Sequence, residues 1–296
     1  MKTLTVFTPT YNRAYCLQTC YESLIKQTND DFTWLIIDDG STDETEELVR
    51  RWIDEAMIPI TYHYQHNQGM HGAHNTAYEI IDTELNVCID SDDYMPAEAV
   101  DKIVTYWKEN GSDKVSGIIG LDSYTDQKII GTPFPEQIHQ STLFDLYNKY
   151  GVTGDKKLVY RTELTKHYPY PIFTNEKYVG LAYKYYRLDE EYEMLLMNET
   201  LCCVEYLPDG SSNNMLKQYR SNPKGFAFYR KELMKLSFAS LLFKYRQAIH
   251  YVSSSLMCKN TKFIKESPNK GLAILAVPFG FTLYMYIMNK TKGAFN

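Results

Sequence analysis

The run Asp90-Ser91-Asp92-Asp93, directly after the apolar Leu85-Asn86-Val87-Cys88-Ile89, places three carboxylates where a buried segment meets solvent. Carboxylates this close repel one another, and they stay ionised together when a hard cation, hydrogen-bond donors or water offset the repulsion. A cation held in this way can in turn hold phosphate oxygens. Two more polar clusters follow apolar runs. Thr8-Pro9-Thr10-Tyr11-Asn12-Arg13 closes the run 4–7, and Asp38-Asp39-Gly40-Ser41-Thr42-Asp43 closes the run 34–37.

The elements that must carry these clusters alternate in type. Residues 4–8 read as a strand stopped by Pro9, and a helical pattern follows through Leu17, Cys20, Leu24 and Ile25. The second strand ends in carboxylates and a glycine turn, after which Thr42 or Asp43 can cap a helix carrying Leu48, Val49, Trp52 and Ile53. A third strand over 60–64 leads through Asn67-Gln68-Gly69 into a helix with Ala73, Ala77 and Ile80, and a fourth strand covers 85–89. Strict alternation predicts parallel strands joined by crossover helices, which bind ligands at the carboxyl ends of the strands. All three clusters lie at those ends, so one rim collects them. No Gly-x-Gly-x-x-Gly follows the first strand and there is no P-loop, which excludes a dinucleotide fold and a P-loop phosphotransferase and leaves a metal to hold phosphates.

In these residues the chain resembles the family 2 glycosyltransferases. Thr-Pro-Thr-Tyr-Asn-Arg, the turn from Asp38 to Asp43, the spacing Asn67-x-Gly69-x-x-x-Ala73-x-Asn75 and Asp90-Ser91-Asp92-Asp93 match that family's pattern, in order, over about the first hundred residues. The resemblance implies a GT-A fold, a Rossmann-like, mostly parallel sheet flanked by helices. It also implies an inverting transferase that uses a nucleotide-diphosphate sugar, most often a UDP-sugar, with Mg2+ or Mn2+. In such enzymes the loop matching Thr8 to Tyr11 packs around the base, and the carboxylate matching Asp39 accepts a hydrogen bond from uracil. The one matching Asp90 contacts the ribose side, and the one matching Asp92 binds the metal, with Asp90 the second candidate ligand. Pro9, Arg13, Asn67, Gly69 and Ser91 join this donor-binding set. His71, at a helix start, can contact a phosphate or the sugar, or act as a cap. Asp93 reads either as an acceptor behind the metal or as the N-cap of a helix near Pro96.

An inverting displacement needs a carboxylate near the acceptor hydroxyl. Relatives often carry an acid in a segment like Asn175-Glu176-Lys177-Tyr178-Val179-Gly180-Leu181-Ala182, but here Leu181 or Ala182 occupies that place. Glu176 is the nearest surviving candidate, with Asp189, Glu190 and Glu191 behind it unless those three form an exposed helix face. Asp93, Glu205 and Asp209 come next. Glu205 and Asp209 flank Tyr206-Leu207-Pro208 before Gly210, where a β-turn explains them almost as well.

His63, His66, His71 and His74 fall within twelve positions and raise a rival zinc reading. It is disfavoured because His63 sits inside a strand pattern and no cysteine lies nearby. The six cysteines show no Cys-x-x-Cys spacing, and the N-terminus leads straight into a strand, so reduced thiols, no signal peptide and a cytoplasmic setting are expected.

Charge divides the 296 residues unevenly. From Lys217 onward lie 14 of the 31 basic residues but only Glu232 and Glu266 of the 37 acidic ones, a net +12 against −18 in the rest. The expected organisation is a catalytic domain over 1–216 and a helical, basic, membrane-associated region over 217–296. That region holds an amphipathic stretch from Phe226 to Arg246 and an uncharged run over 271–288 interrupted by Pro278 and Gly280, read as a re-entrant or interfacial hairpin. No nucleic-acid motif accompanies the basic residues, so a nucleic-acid partner is not expected. The reading is a transferase on the inner face of a bacterial membrane, adding a sugar to a lipid-linked saccharide acceptor. The alternatives are a non-catalytic sugar-nucleotide-binding or scaffold protein, favoured by Leu181 and Ala182, and a nucleotidyltransferase, which lacks its glycine-rich phosphate loop here.

Overall fold

The computed structural model describes residues 2–205 and 214–294. Contacts divide the chain into two units, Met1–Pro169 with Glu191–Leu207, and Tyr170–Glu190 with Pro208–Asn296. The composition break lies at 216/217, whereas by contacts Tyr170–Glu190 groups with the C-terminal unit. The reason is aromatic packing. Tyr183 meets Phe228 at 5.0 Å between ring centres, and Glu176 and Lys177 hydrogen-bond to Gly225 and Asn222.

The first unit contains β1 (Leu4–Thr10), α1 (Ala14–Leu24), β2 (Phe32–Asp38), α2 (Thr45–Glu55), β3 (Ile60–Tyr64), α3 (Met70–Ile80), β4 (Leu85–Cys88) and α4 (Ala99–Asn110). There follow β5 (Val115–Tyr124), β6 (Gln140–Ser141), α5 (Leu143–Asn148), β7 (Lys156–Arg161), α6 (Thr162–Thr165) and, after an excursion into the second unit, β8 (Glu193–Val204). The strand order is β3-β2-β1-β4-β7-β5-β8-β6. β1 to β4 are mutually parallel, while β7 runs antiparallel to both β4 and β5. This is the mostly parallel sheet, with helices on its faces, that the resemblance implies.

Both faces of the central strands are covered, which is why β2 reads as an almost unbroken apolar run. Leu4 and Val6 point into a core with Leu17, Trp34, Val49 and Trp52, in which Tyr21 stacks on Trp52 at 4.4 Å. On the other face Phe7 meets the rings of His74 and Tyr78 from α3. β4 stops at Cys88, one residue before the expected end, although Ile89 N–H still donates to Phe7 O.

The second unit contains α7 (Ala182–Leu188), α8 (Met215–Ser221), α9 (Pro223–Leu233), α10 (Leu241–Met257), α11 (Phe263–Glu266) and α12 (Lys270–Lys290). The stretch from Phe226 to Arg246 is two helices, with Ser240 Oγ capping the second by accepting from Phe243 N–H. The run over 271–288 is not a hairpin. It is one continuous helix, α12, through Pro278 and Gly280, because small Ala273, Ala276 and Gly280 seat it on its neighbours.

Candidate functional site

The order β3-β2-β1-β4 means that the chain steps outward from β1 through β2 to β3 and then returns to the opposite side of β1 with β4. The gap between β1 and β4 is therefore a topological switch point, where a crevice forms at the carboxyl ends of the strands. The loops after β1 and β4 flank this gap, and Arg13 Nη1 reaches across to within 3.7 Å of Asp92 Oδ2. Both groups keep partial solvent access.

The loops after β1 and β2 are bound to each other. Asn12, at φ 53°, donates its backbone N–H to Ser41 Oγ, and its Oδ1 accepts from Thr42 N–H. Asp43 accepts from the first N–H of α1 at Ala14, and from Thr45 at the start of α2. Asp38 is buried between Ser41 N–H at 2.7 Å and the Tyr62 hydroxyl at 2.6 Å. Burial, and then Asp38, raise the pKa of that hydroxyl.

Asp39 is buried too. Its Oδ1 accepts from Gln65 Nε2 at 2.7 Å and Gln68 N–H at 2.8 Å, and its Oδ2 from Gly69 N–H at 2.7 Å. The carboxylate thus pins the loop between β3 and α3, which carries Asn67, and this role was not read from the sequence. Gly40 lies against that loop at φ +89°, where a Cβ would come within 2.9 Å of Asn67 N, so glycine is required there. Thr8 also serves the core, its Oγ1 accepting from Trp34 Nε1 at 2.9 Å, while Tyr11 stands about half exposed on the rim and Pro9 is half-buried.

The acidic turn after β4 divides its carboxylates between rim and interior. Asp90 and Asp92 are half-buried, and Cys88 Sγ donates to Asp90 Oδ1 at 3.8 Å. Ser91 is buried. Asp93 is buried as well, accepting from Glu205 N–H at 3.2 Å and Cys202 Sγ at 3.8 Å, so it does not cap a helix. The helix that follows begins at Ala99 with Glu98 as its N-cap. Burial pushes Asp93 up to about 7, with Asp90 and Asp92 adding to the rise and Lys157 opposing it.

Lys157, on β7, is a neighbour of the acidic turn that sequence reading missed. Its ammonium lies 3.9 Å from Asp122 Oδ1 and 3.5 Å from Cys88 O. Burial acts to lower its pKa, but Asp122, Cys202, Asp93 and Asp90 outweigh burial and hold it well above the usual lysine value. The available signal was a lysine sharing an inward strand face with Val159.

A metal's fit rests on these donors. Among the described residues no three His, Cys, Asp or Glu side chains converge to hold an ion by protein groups alone. Mg2+ and Mn2+ bound through one or two carboxylates plus substrate phosphates need no such cage, and Asp92 with Asp90 provides that kind of donor set. His63 and His66 are exposed, whereas His71 and His74 are buried in α3. The four therefore do not share a site.

Of the other candidate bases, Glu176 and Asp189 belong to the second unit and Glu191 to the first. Glu176 is buried in the second unit, where Oε1 accepts from Lys224 N–H at 3.0 Å and Oε2 from Gly225 N–H at 2.8 Å. It holds the first turn of α9, which argues against a role as proton acceptor. The expected exposed acidic face over 189–191 is corrected: α7 ends at Leu188, Asp189 is buried, and Glu190 binds Arg187 and Ser237 N–H. Glu191 is exposed and accepts from the Tyr168 hydroxyl. Asp209 and the turn around Gly210 lie outside the described residues.

The family model "Glycosyl transferase family 2" matches residues 5–168, more than half of the chain. The chain belongs to glycosyl transferase family 2. Its relatives include the poly(ribitol-phosphate) beta-glucosyltransferase of Bacillus spizizenii, 28% identical over an alignment of 160 residues that covers 47% of this chain and 25% of that protein. The poly(ribitol-phosphate) beta-N-acetylglucosaminyltransferase TarS of Staphylococcus aureus is 26% identical over 168 residues, 56% of this chain and 29% of that protein. The match therefore spans between a quarter and a third of these two relatives. Among solved structures, S. aureus TarS 1–349 in complex with UDP-GlcNAc superposes with a TM-score of 0.60 at 17% identity, covering 93% of this chain and 79% of that one. The mannosyltransferase PcManGT from Pyrobaculum calidifontis, in complex with GDP-Man and Mn2+, gives a TM-score of 0.57 at 17% identity, covering 98% and 83%. Both likenesses establish the shared fold.

Proposed function

We propose that this glycosyltransferase moves one sugar, with inversion, from a UDP-sugar to a lipid-linked saccharide or polyol-phosphate acceptor of a bacterial surface polymer, at the inner face of the cell membrane. The observation that carries the reading is the meeting of Arg13 and Asp92 across the switch point, with Asp90 beside them on the rim. In this reading the rim loop from Thr8 to Tyr11 receives the base, Tyr11 through its exposed ring and Thr8 through its backbone. Asp39 shapes the loop carrying Asn67 and Gly69, and Asp90 and Ser91 face the ribose. His71 sits in the first turn of α3, towards the diphosphate.

Asp92, with Asp90, would hold Mg2+ or Mn2+. When bound, that ion neutralises the charge that builds on the departing diphosphate. Arg13 holds Asp92 in place and adds a fixed positive charge beside the same phosphates. Lys157 offsets the crowded carboxylates from behind. The relatives named for poly(ribitol-phosphate) support a polyol-phosphate or saccharide acceptor.

Calorimetric titration of a panel of UDP-, GDP- and other nucleotide sugars, with and without Mn2+, followed by turnover on the donor that binds, tests this. Tight binding of a nucleotide sugar with product formation supports the reading. Binding without turnover on any acceptor supports a second one, a sugar-nucleotide-binding protein that has lost its base. That alternative draws on the capping role of Glu176 and on Leu181 and Ala182, where relatives often carry an acid.

A further inference from the structure

The second unit carries a surface whose chemistry the transferase reading does not use. On α12, Ile274, Leu275, Phe279, Phe281, Met285 and Tyr286 are each more than half exposed, while Ala273, Ala276, Gly280 and Ile287 form a narrow buried seam. The rest of its circumference is uncharged between Lys270 and Lys290. A helix apolar all round and covered along one seam alone needs an apolar medium on its other sides. Its 21 residues, about 31 Å at 1.5 Å per residue, suit either crossing a bilayer or lying along one.

Two observations separate these. The first is the partner along the seam. A Cβ at Gly280 would lie 2.6 Å from Val252 of α10, Tyr245 of α10 donates its hydroxyl to Leu275 O, and Ala248 and Ala276 share one cluster. Over that same stretch α10 carries Lys244, Arg246, Gln247 and His250. If α12 crossed the bilayer, either these groups would enter hydrocarbon or the seam would open.

The second observation is charge at both ends. Lys259, Lys262, Lys265 and Lys270 precede or open α12, Lys290 and Lys292 close it, and all six are exposed. A crossing helix would leave one of these groups on the far side, against the bias that keeps lysines on one face. A helix lying in the interface puts both groups among headgroups of the same leaflet.

The geometry points to α12 as an in-plane anchor. The second unit docks on an anionic bilayer by laying the Ile274–Leu275–Phe279–Phe281 face into one leaflet, with a lysine cluster at each end on the headgroups. This deepens, and rests on, the proposed membrane setting.

Co-sedimentation of the full chain with phosphatidylglycerol-containing and pure phosphatidylcholine vesicles tests it. Binding should be about tenfold or more stronger to the anionic vesicles and should fall as salt is raised. Phe279→Ser with Phe281→Ser should remove the binding with helix content retained, and Lys290→Glu with Lys292→Glu should remove its salt-sensitive part. A chain that stays in the supernatant with anionic vesicles, or binds them unchanged after both pairs of substitutions, overturns the proposal.

Topology is read with an impermeant maleimide on closed vesicles bearing Gly271→Cys or Gly293→Cys, over the background of the half-buried native Cys16, Cys88 and Cys258. A Cβ at 271 meets nothing closer than Asn269 Oδ1 at 3.6 Å, and one at 293 meets nothing within 4 Å, so both positions accept the change. Labelling of both from outside is expected, and protection of either overturns the in-plane geometry. Calorimetric nucleotide-sugar binding by the Phe279→Ser, Phe281→Ser chain should match the parent. Its loss in both chains would count against the transferase reading and leave vesicle docking standing.

Discussion

The two acidic turns beside β1 have similar composition and place their carboxylates differently. After β2, Asp38 and Asp39 are buried and both oxygens of each accept short bonds from Ser41, Tyr62, Gln65, Gln68 or Gly69. After β4, Asp90, Asp92 and Asp93 crowd together: Asp93 is buried on Glu205 N–H and Cys202 Sγ, while Asp90 and Asp92 stand half-buried, with Arg13 3.7 Å from Asp92 and Lys157 behind the turn. A carboxylate buried among backbone and side-chain donors organises the site, whereas one on a solvent-accessible rim in like-charge company can meet a ligand's counter-charge. Identical residues therefore divide into a clamp and a binding edge.

The largest effect that would sharpen this division is on catalysis. Asp92→Asn should lower transfer by about 10^2 to 10^3, the range for loss of one preorganised electrostatic group, and should leave the unfolding midpoint unchanged. Steady-state kinetics beside a denaturant titration check both. Near-parent activity would remove Asp92 from the binding edge.

Asp39→Asn should do the reverse. One of the three bonds is lost and an amide NH2 is turned against a backbone N–H, so stability should drop by about 1.5 to 3 kcal/mol. If urea titration shows no change while uridine affinity falls, Asp39 belongs with the binding edge and the clamp reading fails.

Glu176→Gln tests a third carboxylate whose bonds place it with the clamps. Removing its charge from the first turn of α9 should cost about 1 kcal/mol in chemical denaturation, with turnover within a few-fold of the parent. A hundredfold fall in turnover with donor binding intact would restore Glu176 as the base.

A change of similar size is expected for Tyr62→Phe, which deletes the 2.6 Å bond to Asp38 from a half-buried ring. A loss of about 0.5 to 1.5 kcal/mol, read by thermal unfolding, is expected. A loss several times larger would mean that Asp38 depends on this donor more than on Ser41.

Much of the first unit was legible because its signals are local. Period and punctuation put β1, β2 and β3 within about two residues of where they stand and a helix after each, and the four ordered motifs pointed to the family. The acceptor side was less legible. Glu176 looked available because nothing in its neighbourhood announces that Lys224 and Gly225, nearly fifty positions away, will present their N–H groups to it. Asp189 to Glu191 read as a helix face because the end of α7 at Leu188 depends on packing rather than on a capping residue.

What the sequence by itself determined is the alternation of strand and helix, the placing of three polar clusters at strand ends, and the charge asymmetry between the two parts of the chain. These follow from side-chain periodicity and composition, which the chain carries at every position. Tertiary structure alone decided which carboxylates are buried on donors and which stay half-buried, that Lys157 stands behind the acidic turn, and that residues 271–288 form one helix. Hydrogen-bond saturation and burial are relations between residues far apart in the chain, so no local pattern encodes them.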